Sequence, residues 1–229
     1  MLTLTIWISF LGAVLIALMP AERKNAIRWT ALGTATASLF VALFYYFHYD
    51  LAKAGFQFGF DAPWIPQIGA GFRFGVDGFS LPLVLLTGII AVTGILYSWN
   101  IEDRVKEFFV LFLALIGGVY GVFQALDIFL LLLFYEIAII PKYFIIAIWG
   151  STRKEYGAMK LVLYSFVGSS MVFIGMLAMF IISGAKTFGI VGLRQMSEAG
   201  IFPPDFQLWA FPLIFIGFGI LGGLVPFHT

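Results

Sequence analysis

Residues 131–144 read LLLFYEIAIIPKYF: a glutamate, a proline and a lysine set inside an otherwise apolar run. The apolar residues continue on both sides, from 127 to 149, long enough to cross the hydrocarbon of a bilayer, which takes roughly 20 residues as a helix. Backbone amides in lipid must find partners within their own segment, so such a run is a helix and not an open strand. Asp127 begins it and Glu136 follows nine residues later. At about 1.5 Å per residue the carboxylate sits roughly 13 Å along the axis, near the bilayer midplane. Among the twelve acidic residues it alone is placed so deep.

The rest of the chain supports the same setting. Of 229 residues, 62% are hydrophobic and only 11% charged, against about 25% charged in a soluble domain. Mean hydropathy is +1.02. Seven apolar runs are candidate transmembrane helices: 2–19, 29–48, 79–99, 107–125, 127–149, 158–183 and 207–229. The first lacks the basic leader and small-residue cleavage site of a signal peptide and is followed by a second span, so it reads as a mature helix. The fold class is an all-α integral membrane protein, with residues 1–229 as a single membrane domain.

Basic residues orient it. Loops counted first, third and fifth from the N-terminus carry eight lysines and arginines, including Arg23, Arg28, Arg104 and Lys154, while the alternate loops carry four: Lys53, Arg73, Lys186 and Arg194. The excess marks the odd loops as cytoplasmic and the N-terminus as outside. The alternate loops 49–78 and 184–206 are the longer ones. In the first, FQFGFDAPWIPQIGAGFRFGVDG (56–78) is rich in Gly, Pro and aromatic residues and reads as an ordered interfacial loop or short hairpin at headgroup depth.

A net charge of +1 gives no reason to expect a nucleic-acid partner. With no cysteine, the chain offers no thiolates for iron–sulfur clusters or disulfides. His48 and His228, the two histidines, stand at opposite ends of the sequence. Redox chemistry, where involved, belongs to other chains.

Four residues are candidates for proton transfer. A charge at mid-membrane costs at least about 2.5–3.5 kcal/mol and commonly marks an ion or proton pathway. A carboxyl held between desolvation and a nearby cation changes protonation state as that cation moves, which suits Glu136 to a relay; a structural ion pair between helices is the plainer alternative. Lys142 comes six residues later, about 240° around the helix, so on a straight helix the two do not share a face. Pro141 lies between them and introduces a kink or a freed carbonyl. Lys142 is either part of the relay or a lysine snorkelling to the interface. Lys160 opens the sixth run, EYGAMKLVLYSFVGSS (155–170), with the same two readings. The small and hydroxyl residues that follow it allow close helix packing or line a hydrated path. His228 follows Gly222, Gly223 and Pro226, where the last helix should break; imidazole suits proton exchange near neutral pH, and plain solvation is the alternative.

Several stretches, in order, resemble a known family: FRFGVDGFSLPLVLLT (72–87), GVFQALDIFLLLLFYEIAIIPKYFIIAIWG (121–150), RKEYGAMKLVLYSFVGS (153–169) and GFGILGGLVPFHT (217–229). They are similar to the antiporter-like chain M, or subunit 4, of proton-pumping NADH:quinone oxidoreductase, respiratory complex I. The resemblance implies a fold of about fourteen helices with two inverted five-helix repeats, of which this chain is the first half, ending at the broken seventh helix. It implies proton translocation through the glutamate matching Glu136, with Lys160 matching the sixth-helix lysine. NADH, FMN, iron–sulfur clusters and quinone would be handled by partner subunits, with no cofactor on this chain. Its partners would be the lipid bilayer and other membrane-arm subunits, neighbouring antiporter-like chains above all; a separate chain supplying the second half is one explanation of the ending and a longer parent chain the other. Two departures stand out. The seventh-helix lysine of many members is Leu221 here, and Lys142 replaces a residue that is methionine in many. Two further readings remain beside the complex I subunit: a Mrp-type sodium/proton antiporter subunit, and a packing remnant that moves no protons.

Overall fold

A computed structural model of the chain describes residues 1–184 and 187–227; Lys186 and His228 therefore lie outside the described residues. The apolar runs form the helices α1 (Leu4–Leu18), α2 (Lys24–Phe47), α3 (Ser80–Tyr97), α4 (Val105–Gln124), α5 (Ile128–Trp149), α6 (Lys154–Ile182) and α8 (Pro204–Leu221), with a short helix α7 (Ile190–Glu198) before the last. Among the described residues six are long and apolar enough to cross a membrane, α1 being the shorter one. Large apolar side chains such as Leu11, Phe40, Phe166, Ile181 and Phe211 point outward, as the surface of a protein solvated by lipid must. The chain is an integral membrane protein.

Helix α4 is the centre of the first bundle. It packs against α1, α2, α3 and α5, with Phe109, Leu113 and Tyr120 fully buried. Close approach to α5 depends on its small residues: a Cβ added at Gly121 would lie 2.3 Å from the ring of Phe134. Gly121→Ala should therefore cost about 1–3 kcal/mol by overpacking, read as a lower thermal midpoint in detergent. Gly33→Ala, where nothing lies within 4 Å, is the matched control and should be neutral or slightly stabilising. Helices α6 and α8 pair with each other beside α5, meeting where Gly168 faces Gly217 and Leu221.

The aromatic loop is an antiparallel hairpin, β1 (Gln57–Ile65) and β2 (Ala70–Val76), with Phe60 opposite Phe74 and Asp61 opposite Arg73. Its turn uses Gly69 at φ 64°, a left-handed conformation that glycine adopts without strain. Segment 184–206, read as a loop, contains α7. Its Ile190, Leu193 and Met196 recur at helical spacing while Arg194 pairs with Glu198 at 2.9 Å on the exposed side, an amphipathic pattern too short for a search based on membrane-length runs. The final span starts and stops earlier than 207–229. Pro204 occupies the first turn, where its missing N–H is no loss. Gly223, at φ 69°, ends the helix: its N–H bonds the Ile220 carbonyl at 3.2 Å and the Leu224 N–H bonds that of Gly219 at 2.8 Å, closing the last turn in a Schellman arrangement.

Two charged clamps tie the helix ends. On the face bearing the odd loops, Glu102 accepts from Lys24 Nζ at 2.8 Å and Arg28 Nη2 at 2.6 Å, linking the α1–α2 and α3–α4 connections. Hydrogen bonds from Lys24 and Arg28, reinforced by their charges, hold the Glu102 carboxyl at about 2, against an ordinary 4.5. Because the folded carboxyl titrates below the unfolded one, the clamp stabilises above pH 4.5 and its contribution is lost as pH falls through about 2. Glu102→Gln should lower the thermal midpoint at neutral pH, modestly because the carboxylate is exposed. The gap to the unsubstituted chain should narrow in acid; a gap that stays constant down to about pH 3 would refute the assignment.

Candidate functional site

On the opposite face the hairpin is bolted to the start of α5 by Asp127. This carboxylate is fully buried. One oxygen caps α5, accepting from the N–H groups of Phe129 at 3.0 Å and Leu130 at 3.3 Å. The other accepts from Arg73 Nη1 at 3.0 Å and the Gly71 N–H at 3.3 Å. Arg73 also donates to Thr187 Oγ1 at 3.1 Å, and backbone bonds from Leu126 to Arg73, Ile128 to Phe188 and Ile190 to Leu126 complete the knot. Sequence reasoning counted Arg73 as a loop charge and Asp127 as a helix start; nothing in their spacing pairs residues so far apart. The clamp sets the position and rotation of α5, the helix that carries Glu136.

α5 remains one helix through Pro141. The proline has no N–H for the Ile137 carbonyl, yet Lys142 does not swing back towards Glu136. The two side chains keep the separate faces expected of a straight helix. Glu136 lies on the exposed flank of α5, where it lines a pocket of about 290 Å³ with Ile139, Tyr143, Met159 and Ser165. It also lines a second, of about 320 Å³, with Leu132, Ser169, Ser170 and Phe173. Lys142 and Lys160 come together in a third pocket of about 580 Å³, whose walls include Tyr135, Tyr164, Ser165 and Leu221. The Lys160 ammonium stands 6.0 Å from the Tyr156 ring centroid and 5.7 Å from that of Tyr164, within range of cation–π attraction.

The three pockets follow one another along the α5–α6 seam, from Lys160 past Ser165 to Ser169 and Ser170, a run of about 15 Å. Two side chains missed as site residues sit at the junction. The Tyr135 hydroxyl donates to the Leu221 carbonyl at 3.2 Å, and Ser165 lines the same pocket. A pattern of hydroxyls every four residues on α6 was visible in the sequence; which of them meets α5 was not. Ser165 and Ser169 are buried, and both line the pockets. Among the described residues no cluster of His, Cys, Asp and Glu could hold a metal ion.

Comparison with known proteins places this arrangement. The family described as "NADH:quinone oxidoreductase/Mrp antiporter, TM" matches residues 125–229, the part that contains α5, α6 and α8. NAD(P)H-quinone oxidoreductase chain 4-2 of Synechocystis sp. is 34% identical over 232 residues, covering 100% of this chain and 40% of the relative. The chain thus spans about two fifths of the length of that relative. A chain of respiratory complex I from Thermus thermophilus superimposes over 100% of this chain and 45% of its own length, with a TM-score of 0.84 and 26% identity. A chain of the Mrp complex from Dietzia sp. shares the fold, with a TM-score of 0.80 at 22% identity, covering 99% of this chain and 41% of its own. Residues 125–229 thus match the membrane-subunit family described for NADH:quinone oxidoreductase and Mrp antiporters, and along its whole length the chain is similar to NAD(P)H-quinone oxidoreductase chain 4 proteins.

Proposed function

We propose that the chain is a proton-translocating membrane-arm subunit of an NADH:quinone oxidoreductase, a respiratory complex I. It carries no redox centre; NADH, FMN, iron–sulfur clusters and quinone are handled by partner subunits, and electron transfer there drives proton movement here. The observation that carries the reading is the row of pockets along α5–α6, with Glu136 flanked by two of them and Lys142 and Lys160 in the third. A proton enters on the face of the odd loops, is taken up by Lys160 or Lys142, and passes to Glu136. From there it continues towards His228 or a group on another part of the assembly. The membrane is a bacterial inner membrane on this reading, and the excess of lysine and arginine on the odd loops supports an N-terminus outside with those loops in the cytoplasm. Neighbouring antiporter-like chains are its partners.

The test is proton uptake by inverted membrane vesicles from cells lacking the chain, with NADH as electron donor. Uptake should fall on deletion and return when the chain is supplied. A second reading, a Mrp-type sodium/proton antiporter subunit, draws on the family match and on the shared fold of the Dietzia chain. Under that reading NADH-driven uptake is unchanged by deletion while sodium-driven proton exchange disappears.

A further inference from the structure

The lysine pocket lies between α5 and α6 on the side of the odd loops, beyond the point where α8 stops. Leu221, the last residue of α8, packs against Gly168, and Lys160 is eight residues nearer the start of α6, about 12 Å along the axis. Lys142 comes seven residues before the end of α5 and Lys160 six residues after the start of α6. Both therefore leave their helices about 10 Å from the ends, a depth from which a lysine stem carries its ammonium towards the boundary. The described lining of the pocket holds these two positive charges and no negative one. Tyr156 and Tyr164 stand beside Lys160 and are exposed, as aromatic residues at headgroup depth commonly are. Leu161, Ile220, Leu221 and Phe227 supply an apolar wall.

Two cations alone would suit any small anion. Two cations joined to an apolar wall, near one edge of the hydrocarbon, suit an amphiphile with an anionic head. We propose that this pocket binds an anionic phospholipid, its phosphate between the Lys142 and Lys160 ammonium groups and its upper acyl carbons against Leu161, Ile220 and Leu221. Each ammonium has three hydrogen-bond donors for the phosphate oxygens, and hydrogen bonds between ionised groups are the stronger kind. Bringing a negative charge between two ammonium groups also offsets their mutual repulsion, which is large where the dielectric constant is low. Basic pockets between transmembrane helices on the side of an anionic leaflet hold lipid head groups in this way. The site goes beyond the relay reading, since it asks only that both lysines face one pocket open to lipid. It places a bound lipid at the entry end of the row of pockets.

The test is photolabelling of the native membrane assembly in phosphatidylcholine nanodiscs that contain a small fraction of phosphatidylglycerol bearing a diazirine near its head group, with labelled peptides mapped by mass spectrometry. Label should concentrate on residues 142–149 and 154–164 and exceed that left by the same probe built on phosphatidylcholine. Lys142→Gln and Lys160→Gln should each lower it about 5-fold and the double variant about 30-fold, the scale of attraction of a basic residue to an anionic surface. Replacing both lysines by arginine keeps the charges and should keep the label. Native-level label in the double glutamine variant would mean annular lipid only and would overturn the proposal. So would label lost equally in the arginine pair, which marks a packing effect, and so would no label at the pocket, as when another protein segment covers it. Displacement by inorganic phosphate, but not by sodium chloride of equal ionic strength, would replace the lipid with a free anion and overturn it too. Failure of the relay reading is seen separately, as intact proton translocation in Glu136→Gln, and leaves these labels unchanged.

Discussion

Glu136→Gln should leave the chain folded and assembled and reduce coupled proton translocation by about 10²-fold or more, the range expected when a positioned proton-transfer group is removed. The substitution keeps the shape and removes the titratable group. Glu136 is exposed on the flank of α5, so the change breaks no buried clamp. Insertion into the bilayer should if anything become easier, since an uncharged amide is less costly at mid-membrane than a carboxylate. The check is NADH-driven proton uptake in vesicles, normalised to the amount of assembled complex. Full uptake at full assembly would leave the remnant reading, a chain that packs and moves no protons. Failed assembly would instead make Glu136 a structural anchor.

The second large effect concerns stability. Asp127→Ala should destabilise the chain by about 3–5 kcal/mol, the cost of breaking a buried ion pair by removing one partner. Arg73 would keep only its looser pairing with the exposed Asp61 at 3.6 Å, and α5 would lose its cap, itself a contribution of about 1 kcal/mol. Asp127→Asn separates the two contributions, because the amide oxygen can still cap Phe129 and Leu130 while the charge is gone. Thermal unfolding in detergent should therefore rank native above Asn and Asn above Ala. Equal midpoints for Asp127→Asn and the native chain would mean that capping, and not the ion pair, holds the hairpin to α5. Because the clamp orients α5, proton uptake by Asp127→Ala should fall together with stability.

Much of this architecture was legible in the residues alone. An apolar run of membrane length has one stable backbone conformation in lipid, so six of the seven candidate runs became long helices close to where hydropathy put them, and the shortest became α1. The hairpin was legible for a related reason: glycine, proline and aromatic residues at a boundary favour turns and interfacial strands. The exceptions follow from the same physics. α7 is held by an amphipathic stripe nine residues long, which has no signal at membrane length. The end of α8 was set by a glycine turn inside a run that hydropathy reads as continuous.

The candidate site divides in the same way. That Glu136 sits at mid-helix is a consequence of helix geometry that the sequence by itself determined; that Lys142 stays on another face depended on α5 remaining one helix through Pro141, which the structure decided. That Lys142 and Lys160 share a pocket, that Ser165 stands between them and Glu136, and that Tyr135 is latched to Leu221 were decided only by the tertiary structure. So was the pairing of Arg73 with Asp127. Rotation and height of one helix against another depend on contacts such as Gly121 against Phe134 and Gly168 against Leu221, which join residues far apart in the chain. Hydropathy along a segment is a local quantity and carries no information about those partners.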